Sequence, residues 1–328
     1  MILVAMLAAI VLQQPPSPTP PAAQIPPGLE TQVMLDRAGF SPGVIDGRIG
    51  KNTRRALALF QQQRGQEQAP AVPALTTYTI TEEDVRGPFP PSIPEDMVEK
   101  ARLPELGYTS VVEALAERFH STPALLQELN PNIAFEAGAS IQVPNVEPLV
   151  RPVEPPPITA EAGRQNKAAN NKATGTSGRG TTKPASDIMS RPDVVVTVRA
   201  STSDLEVKDS SGRVLLYAPV TTGSEHDPLP IGEWKVNGVQ FNPKFLYNPD
   251  LFWDADPSHS KATIPPGPNN PVGLVWIDLS KPHYGIHGTP EPSTIGRTES
   301  HGCVRLTNWD VLKLAGLVKP GTRVVFTQ

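Results

Sequence analysis

The chain has 328 residues and a net charge of −4, and it contains 39 prolines but a single cysteine. This length is enough for two or three domains, and the proline content, well above the usual ~5%, indicates linkers between them. The acidic balance argues against nucleic acid as the main partner, because phosphate binding calls for a basic surplus. No stretch is long and apolar enough for a stable membrane span.

Residues 1–27 begin with an apolar run, from Ile2 to Leu12, and continue as a segment rich in Pro, Gln and Ala. The run is too short to cross a bilayer as a helix. It is typical of the core of a secretory signal, although no Lys or Arg precedes it, and Ala22-Ala23 is a candidate cleavage region. We therefore expect an exported protein of the periplasm or cell wall, with a Pro-rich tether after its signal.

Residues 28–65 predict a small helical bundle, with two helices joined by a turn. The turn, residues 40–50, is full of chain-reversing residues, and Asn52 or Thr53 is the expected cap of the second helix. The segment contains Asp46-Gly47, Gly50, Thr53, Ala56, Leu57, Phe60 and Gln61. In these residues it resembles the peptidoglycan-binding domain, and the alternative is an unrelated helical hairpin.

Residues 77–146 predict a strand, two helices and a second strand. The order resembles a LysM domain, which binds glycan chains through N-acetylglucosamine, but residues 82–105 are a long insertion between the first strand and the first helix. The module is therefore either a glycan binder or a scaffold. His120, at a helix end, is expected to be a cap or a surface residue. The predicted elements are Tyr78–Thr81, Tyr108–Phe119, a helix with Leu125, Leu126 and Leu129, and Gly138–Pro144.

Residues 147–192 have few large apolar side chains and predict a flexible linker. Residues 193–328 are rich in strand patterns, and they predict a mostly antiparallel β sandwich or barrel with one helix, near 308–318. The fold class is thus multidomain, with a mainly-β last module after a helical bundle and an α+β module. The predicted strands are 194–198, 205–209, 214–217, 232–236, 273–277 and 322–326.

Cys303, the single cysteine, is the strongest chemical signal. Exported proteins usually pair their cysteines, so a lone cysteine raises the question of a free reactive thiol. The alternative is an inert side chain that packs as a small hydrophobe. His287 and His301 lie close by in sequence and either could act as a base for the thiol, which favours the reactive interpretation.

A longer motif surrounds this cysteine. His287 is followed, after a spacer, by Ser300-His301-Gly302-Cys303-Val304-Arg305. This arrangement resembles the catalytic domain of the L,D-transpeptidases, whose motif is His, a spacer, Ser or Thr, His, Gly and Cys, then a hydrophobic residue and Asn or Arg. The resemblance covers all of 193–328, with further agreement at Thr222-Gly223, Pro230-Ile231-Gly232, 266–273 and Pro320-Gly321-Thr322.

The resemblance implies a role for each matching residue. Cys303 would be the nucleophile, and His287 the general base that takes the thiol proton and later protonates the leaving amine. The carbonyl of Gly288 would fix the His287 tautomer, and the N–H groups of Gly302 and Cys303 would bind the oxyanion.

Other residues near the motif are expected to support the site or to line it. His301 would mainly hold the turn. The Ser300 hydroxyl and the Arg305 guanidinium would either support the loop or contact a carboxylate of the peptide stem. His226, His259 and His283 are expected at the surface or in the groove. The candidates for the substrate groove are Tyr284, Thr289, Asn269 and Asn270.

The implied reaction uses the tetrapeptide stem of peptidoglycan and needs no cofactor or metal, since the His and Cys spacing does not fit a zinc site. A thioester with the stem would be resolved by an amine of a second stem, which makes a 3→3 cross-link, or by a lysine of a wall-anchored lipoprotein. The alternatives are water as acceptor, giving a carboxypeptidase or amidase, and a non-catalytic wall-binding protein.

Overall fold

The computed structural model describes residues 25–64, 73–152 and 191–328. The predicted signal and most of the predicted linker therefore lie outside the described residues. In those three ranges, no helix has both the length and the apolar character needed to cross a bilayer.

The first module is a pair of helices, α1 (Leu29–Arg37) and α2 (Lys51–Arg64). The predicted cap of the second helix is wrong, because α2 begins at Lys51 and both Asn52 and Thr53 lie inside its first turn. Thr53 is buried, and the Asn52 amide instead donates to the carbonyl of Ile295 in the last module, at 3.2 Å.

The second module has the predicted order of strand, two helices and strand, and its two strands pair antiparallel. Both main helices begin at capping side chains, since the hydroxyls of Ser110 and Thr122 each accept a backbone N–H of the first turn. The insertion holds one more short helix, capped by the Asp96 carboxylate. The elements are β1 (Leu75–Thr79), α3 (Met97–Lys100), α4 (Val111–Arg118), α5 (Pro123–Leu129) and β2 (Ser140–Pro144).

The last module is a curled eight-stranded sheet with a helix packed on it, and the predicted mainly-β catalytic fold is confirmed. The strand order is β11-β10-β9-β6-β12-β3-β4-β5, with parallel pairs at β12–β3 and β10–β11 and antiparallel pairs elsewhere. A separate hairpin pairs β7 with β8. The elements are β3 (Val194–Arg199), β4 (Asp204–Asp209), β5 (Val214–Pro219), β6 (Gly232–Phe241), β7 (Phe245–Tyr247), β8 (Ala262–Ile264), β9 (Val275–Leu279), β10 (Gly285–His287), β11 (Val304–Arg305), α6 (Asn308–Leu317) and β12 (Arg323–Thr327).

Alternating side chains explain why one face of this sheet forms the core. In β3, Val194, Val196 and Val198 point inward and are buried, as the period of two requires. The helix α6 covers this face with Trp309 and Leu314. The position of α6 matters for the site, because the helix begins just after the strand that follows Cys303.

The first module is docked on the last one. The carbonyl of Gly39 accepts the N–H of Tyr217, and the carbonyl of Tyr217 accepts the N–H of Ser41, both at 2.8 Å. Phe40 and Phe60 share an apolar cluster with Tyr217 of β5. Side chains of the two modules are therefore part of one core, in addition to the backbone bonds.

His120 is not the surface residue that the sequence predicts. It follows α4 with a φ of 58°, and this left-handed turn directs its ring into a buried junction of all three modules. Its Nδ1 lies 2.9 Å from the carboxylate of Asp36 in α1, and its ring stacks on Trp309 of α6 at 5.0 Å. Lys313 of α6 also binds Asp36, at 3.0 Å, so the buried carboxylate is paired, as burial of a charge demands.

The chain remains packed beyond the predicted start of the linker. Leu149 is buried in the core of the last module, and its N–H donates to the carbonyl of Arg118 at 2.8 Å. Arg151 lies over the ring of Tyr108 at 5.6 Å. Residues 147–152 thus belong to the folded part of the chain, and the linker start predicted at residue 147 is too early.

Candidate active site

Two short parallel strands bring the central residues together. In the pairing of β10 with β11, Ile286 lies opposite Val304 and His287 lies opposite Arg305. Ile286 and Val304 are buried in the core. Because neighbouring side chains of a strand point to opposite faces, His287 and Arg305 project to the other face. Cys303 precedes β11 by one residue, and the same alternation places its side chain beside theirs.

The loop before β11 is closed by its own side chains and by a glycine. The Ser300 hydroxyl donates to the carbonyl of Cys303 at 2.6 Å. Gly302 has a φ of 90°, and a Cβ atom there would lie 2.6 Å from the ring of Tyr284. Only glycine combines this left-handed conformation with such a close approach. Ser300 is therefore engaged in holding the loop, which agrees with a supporting role rather than with a contact to substrate.

The imidazole of His287 is held in one orientation. Its Nδ1 lies 2.7 Å from the carbonyl of Gly288, and Trp276 stacks against the ring at 5.5 Å. A carbonyl can only accept, so Nδ1 carries the proton and donates it to Gly288. The neutral ring then has its lone pair on Nε2, the nitrogen that is able to accept a proton.

The electrostatics favour a neutral resting pair. Burial and, after it, the charge of Arg305 lower the pKa of His287 to about 3, against the raising effect of the Gly288 hydrogen bond. Burial raises the pKa of the Cys303 thiol, although a hydrogen bond from Gly285 and the charge of Arg305 oppose it. At neutral pH the site therefore holds a thiol and an unprotonated imidazole, so a reaction at the sulfur would require transfer of the thiol proton.

Arg305 contributes charge beside both groups. Its backbone is fixed from the far edge of β11, where it exchanges two hydrogen bonds with Thr221 at 2.9 and 3.0 Å. Its guanidinium donates to the carbonyl of Glu299 at 3.4 Å and also faces the cavity described below. A cation in this place favours the thiolate form of Cys303 as charge develops on sulfur.

His301 is tied to a neighbouring loop of the catalytic domain. Its Nε2 lies 2.7 Å from the carboxylate of Asp254, and its ring meets Phe252 at 4.9 Å. Both partners come from the loop that joins β7 to β8. The predicted role in holding the turn agrees with these contacts.

These residues line a cavity of about 960 Å³, near the upper end of the range for ligand sites in proteins. Of the predicted site residues, it brings together Cys303, His287, Arg305, Ser300, His301 and Tyr284. His259 and His283 also line it, and the Cys303 thiol donates to the carbonyl of His283 at 3.8 Å.

Four other predicted residues have side chains that make their contacts outside the cavity. The Asn269 amide donates to Gly107 and Glu113 of the second module, at 2.9 and 2.8 Å. Asn270 is fully buried, and its side chain closes a turn through Pro265 and Val272. The groove prediction for both is corrected, because the two amides are used in docking and turn formation. Two further residues are Thr289, whose buried hydroxyl accepts the N–H of Glu291, and His226, which packs on Trp253.

The sequence reasoning missed Asn308, whose side chain lies against Gly288, the residue that follows His287. Its Oδ1 accepts the N–H of Leu274 at 2.9 Å and would be only 2.1 Å from a Cβ atom at Gly288. Its Nδ2 donates to the carboxylate of Glu117 at 2.8 Å, and Glu117 belongs to α4 of the second module. Burial raises the pKa of Glu117 to about 7, even though hydrogen bonds from Tyr108 and Asn308 favour its charged form. The second module thus contacts a residue whose side chain lies against Gly288.

Metal chemistry has no evident ligand set in this site. Among the residues that the structure describes, no group of three or more His, Cys, Asp or Glu side chains is arranged to hold a metal ion.

Family comparisons agree with the modules seen in the fold. Residues 193–326 match the family model described as the L,D-transpeptidase catalytic domain. Residues 29–68 match the model of a peptidoglycan binding domain.

Individual proteins align with parts of the chain. A Bacillus licheniformis protein named as the L,D-transpeptidase YkuD is 56% identical over 62 residues, which are 19% of this chain and 38% of that protein. The Bacillus subtilis protein YqjB, also named as an L,D-transpeptidase, is 32% identical over 141 residues, 41% of this chain and 72% of that protein. The chain thus spans well under half of the first relative and most of the second.

A solved structure, an L,D-transpeptidase from Mycobacterium smegmatis, aligns with 42% of this chain and 59% of its own length, with 18% identity and a TM-score of 0.34.

Proposed function

Because this chain belongs to the L,D-transpeptidase family, we propose that it is an exported enzyme of the cell wall that transfers the acyl group of a peptidoglycan tetrapeptide stem through Cys303. One observation supports this most directly. Cys303 and His287 line the same cavity, and the hydrogen bond to Gly288 leaves Nε2 of His287 free of a proton.

In the first half-reaction, the sulfur of Cys303 attacks the carbonyl carbon of the third, diamino residue of the stem. Nε2 of His287 takes the thiol proton as the carbon–sulfur bond forms. The N–H groups of Gly302 and Cys303 receive the oxyanion. The carbon–nitrogen bond to D-alanine then breaks, His287 returns the proton to the leaving amine, and a thioester remains.

In the second half-reaction, an amine attacks the thioester carbonyl and the thiol leaves as it is reprotonated through His287. An amine of a second stem gives a 3→3 cross-link, and a lysine of a wall-anchored lipoprotein would give a protein attached to the wall. The first module, which matches a peptidoglycan binding domain, would hold the enzyme on this polymer, and the LysM-like module would add contacts to glycan.

The test is incubation of the purified full-length protein with a disaccharide-tetrapeptide, followed by mass analysis. We expect a dimer that has lost one D-alanine, and intact-mass labelling of Cys303 by a carbapenem. Cys303→Ala should give neither product nor adduct, while the matched control His226→Ala, outside the cavity lining, should give both. A trimmed monomer without dimer would assign water as acceptor, and no reaction and no adduct on the wild type would contradict the enzyme proposal.

A further inference from the structure

The insertion of the second module reaches the catalytic cavity. Residues 82–105 interrupt the strand-helix-helix-strand order, and their helix α3 contacts the strand β8 of the last module. Glu95, Asp96 and Met97, at the start of this helix, line the same cavity as Cys303 and His287. The insertion, which is not part of the strand-helix-helix-strand fold of its module, therefore forms part of the catalytic cavity.

The insertion is fixed to the catalytic domain by polar contacts. The Asp96 carboxylate lies 2.7 Å from Nε2 of His259, and Nδ1 of His259 lies 3.1 Å from the hydroxyl of Tyr247. The backbone N–H of Leu106 donates to the carbonyl of Pro266 at 2.9 Å. These bonds hold α3 at a defined distance from the β7–β8 hairpin.

Apolar packing also holds α3 against the β7–β8 hairpin. Leu106, Tyr247 and Ile264 are buried together, and Met97 packs against this cluster while it also lines the cavity. Burial of this kind favours one position of α3, because the apolar area is lost to water if the helix moves away.

The β7–β8 hairpin also contacts the loop that contains Cys303. The loop between β7 and β8 supplies Phe252, which packs on Tyr247 at 5.6 Å and on His301 at 4.9 Å. His301 is two residues before Cys303. The insertion, the hairpin and the nucleophile loop thus form one continuous wall, which we name the insertion wall (residues 95–97, 245–259 and 300–303).

We propose that the insertion wall binds the peptide stem, and that Met97 is a specificity-determining residue for it. This rests on the proposed function of the cavity. The space is far larger than the scissile bond needs, so a bound stem extends from Cys303 along a wall. Met97 offers a flexible apolar surface to the aliphatic parts of a stem. The second module then selects which stems reach the thiol.

Binding and chemistry can be measured separately with the full-length protein. In a Cys303→Ser background, titration calorimetry with a disaccharide-tetrapeptide reports binding of the uncleaved stem. Met97→Ala removes the apolar contact and Met97→Trp fills part of the cavity. Val98→Ala is the matched control, because Val98 is on the same helix and does not line the cavity.

We expect both Met97 variants to raise Kd by about 5-fold or more, the range expected for a lost or blocked apolar contact, with Val98→Ala unchanged. Equal Kd values for all four proteins would overturn the inference. A KM increase for the Met97 variants without an equal fall in kcat would support it on the active enzyme. Absence of a carbapenem adduct on Cys303 would count against the proposed chemistry, whereas the Kd comparison would still decide the role of Met97.

Discussion

The two sides of the catalytic cavity are built in different ways. The side that carries Cys303 and His287 consists of short strands and a tight loop, and backbone groups such as the Gly288 carbonyl hold its side chains. The insertion wall is held by side-chain packing around Leu106 and by the contact of Asp96 with His259. Backbone hydrogen bonds hold the first side, whereas the second depends on side-chain contacts between modules. We infer that chemistry and recognition are separable by mutation.

The largest effect should come from the backbone-held side. We expect His287→Ala to slow acylation of Cys303 by about 10²–10⁴-fold, the usual contribution of a positioned general base, because His287 is the proposed acceptor of the thiol proton. The rate of carbapenem adduct formation, followed by intact mass, measures it. Ser211→Ala, in the turn between β4 and β5, is the control, and a similar rate for His287→Ala and wild type would remove His287 from its proposed role.

Truncation in the apolar cluster beneath the insertion wall should affect stability more than chemistry. Leu106 is fully buried, so Leu106→Ala should lower the free energy of unfolding by about 2–5 kcal/mol through lost packing and a cavity. Urea denaturation measures this loss. Val150→Ala, at a residue that is 80% exposed, should change stability little. Equal free energies of unfolding for the two variants would contradict the proposed contribution of this packing to stability.

Substitution of Asn308 tests whether the reactivity of the site depends on the contact with the second module. Asn308→Ala leaves the Leu274 N–H and one oxygen of the Glu117 carboxylate without their partner, and a buried group left unpaired costs about 1–3 kcal/mol. We expect a loss of that size in urea denaturation, together with slower acylation because the side chain that lies against Gly288 is removed. A variant with unchanged stability and rate would show that the contact between α4 and α6 has no influence on the site.

The pH dependence of acylation should reflect the lowered pKa of His287, which burial and then Arg305 bring to about 3. A base that is protonated only near pH 3 remains active throughout the weakly acidic range, so the rate should fall by less than about 3-fold between pH 7 and pH 5. The same measurement on Arg305→Met should show the acid limb moving to higher pH, because one cause of the lowered pKa is removed. An acid limb near the ordinary histidine value in the wild type would contradict this electrostatic description.

The smallest effect should come from Glu117→Gln, which changes how the free energy of unfolding depends on pH. Burial raises the pKa of Glu117 to about 7, so the folded state keeps a proton that the unfolded state has lost. The stability contributed by this protonation is complete below the ordinary pKa of a glutamate and is lost as the pH rises through about 7. Glu117→Gln cannot ionise, so between pH 5 and pH 8 it should lose less stability than wild type, by on the order of 1 kcal/mol. Parallel pH profiles of the free energy of unfolding for the two proteins would contradict the raised pKa of Glu117.

Local patterns predicted more of the fold than of the cavity. Six strands of the last module and the helix at Asn308 follow from alternation and capping over a few residues, so they could be identified without knowledge of distant partners. His120 could not, because nothing near it in sequence indicates that Asp36 and Trp309 will enclose it. The groove prediction for Asn269 and Asn270 fails for the same reason, since a polar residue near a motif serves docking as readily as binding.

The sequence by itself determined the order of the modules, the catalytic family and the identity of the candidate nucleophile and base, because these depend on short contiguous motifs. Only the tertiary structure decided that α3 lines the catalytic cavity, that Asn308 and Glu117 lie beneath Gly288, and that the first two modules are docked on the last. These facts depend on contacts between residues far apart in the chain. Such contacts form because the apolar faces and buried charges of each module require partners, and no local pattern specifies which partner that is.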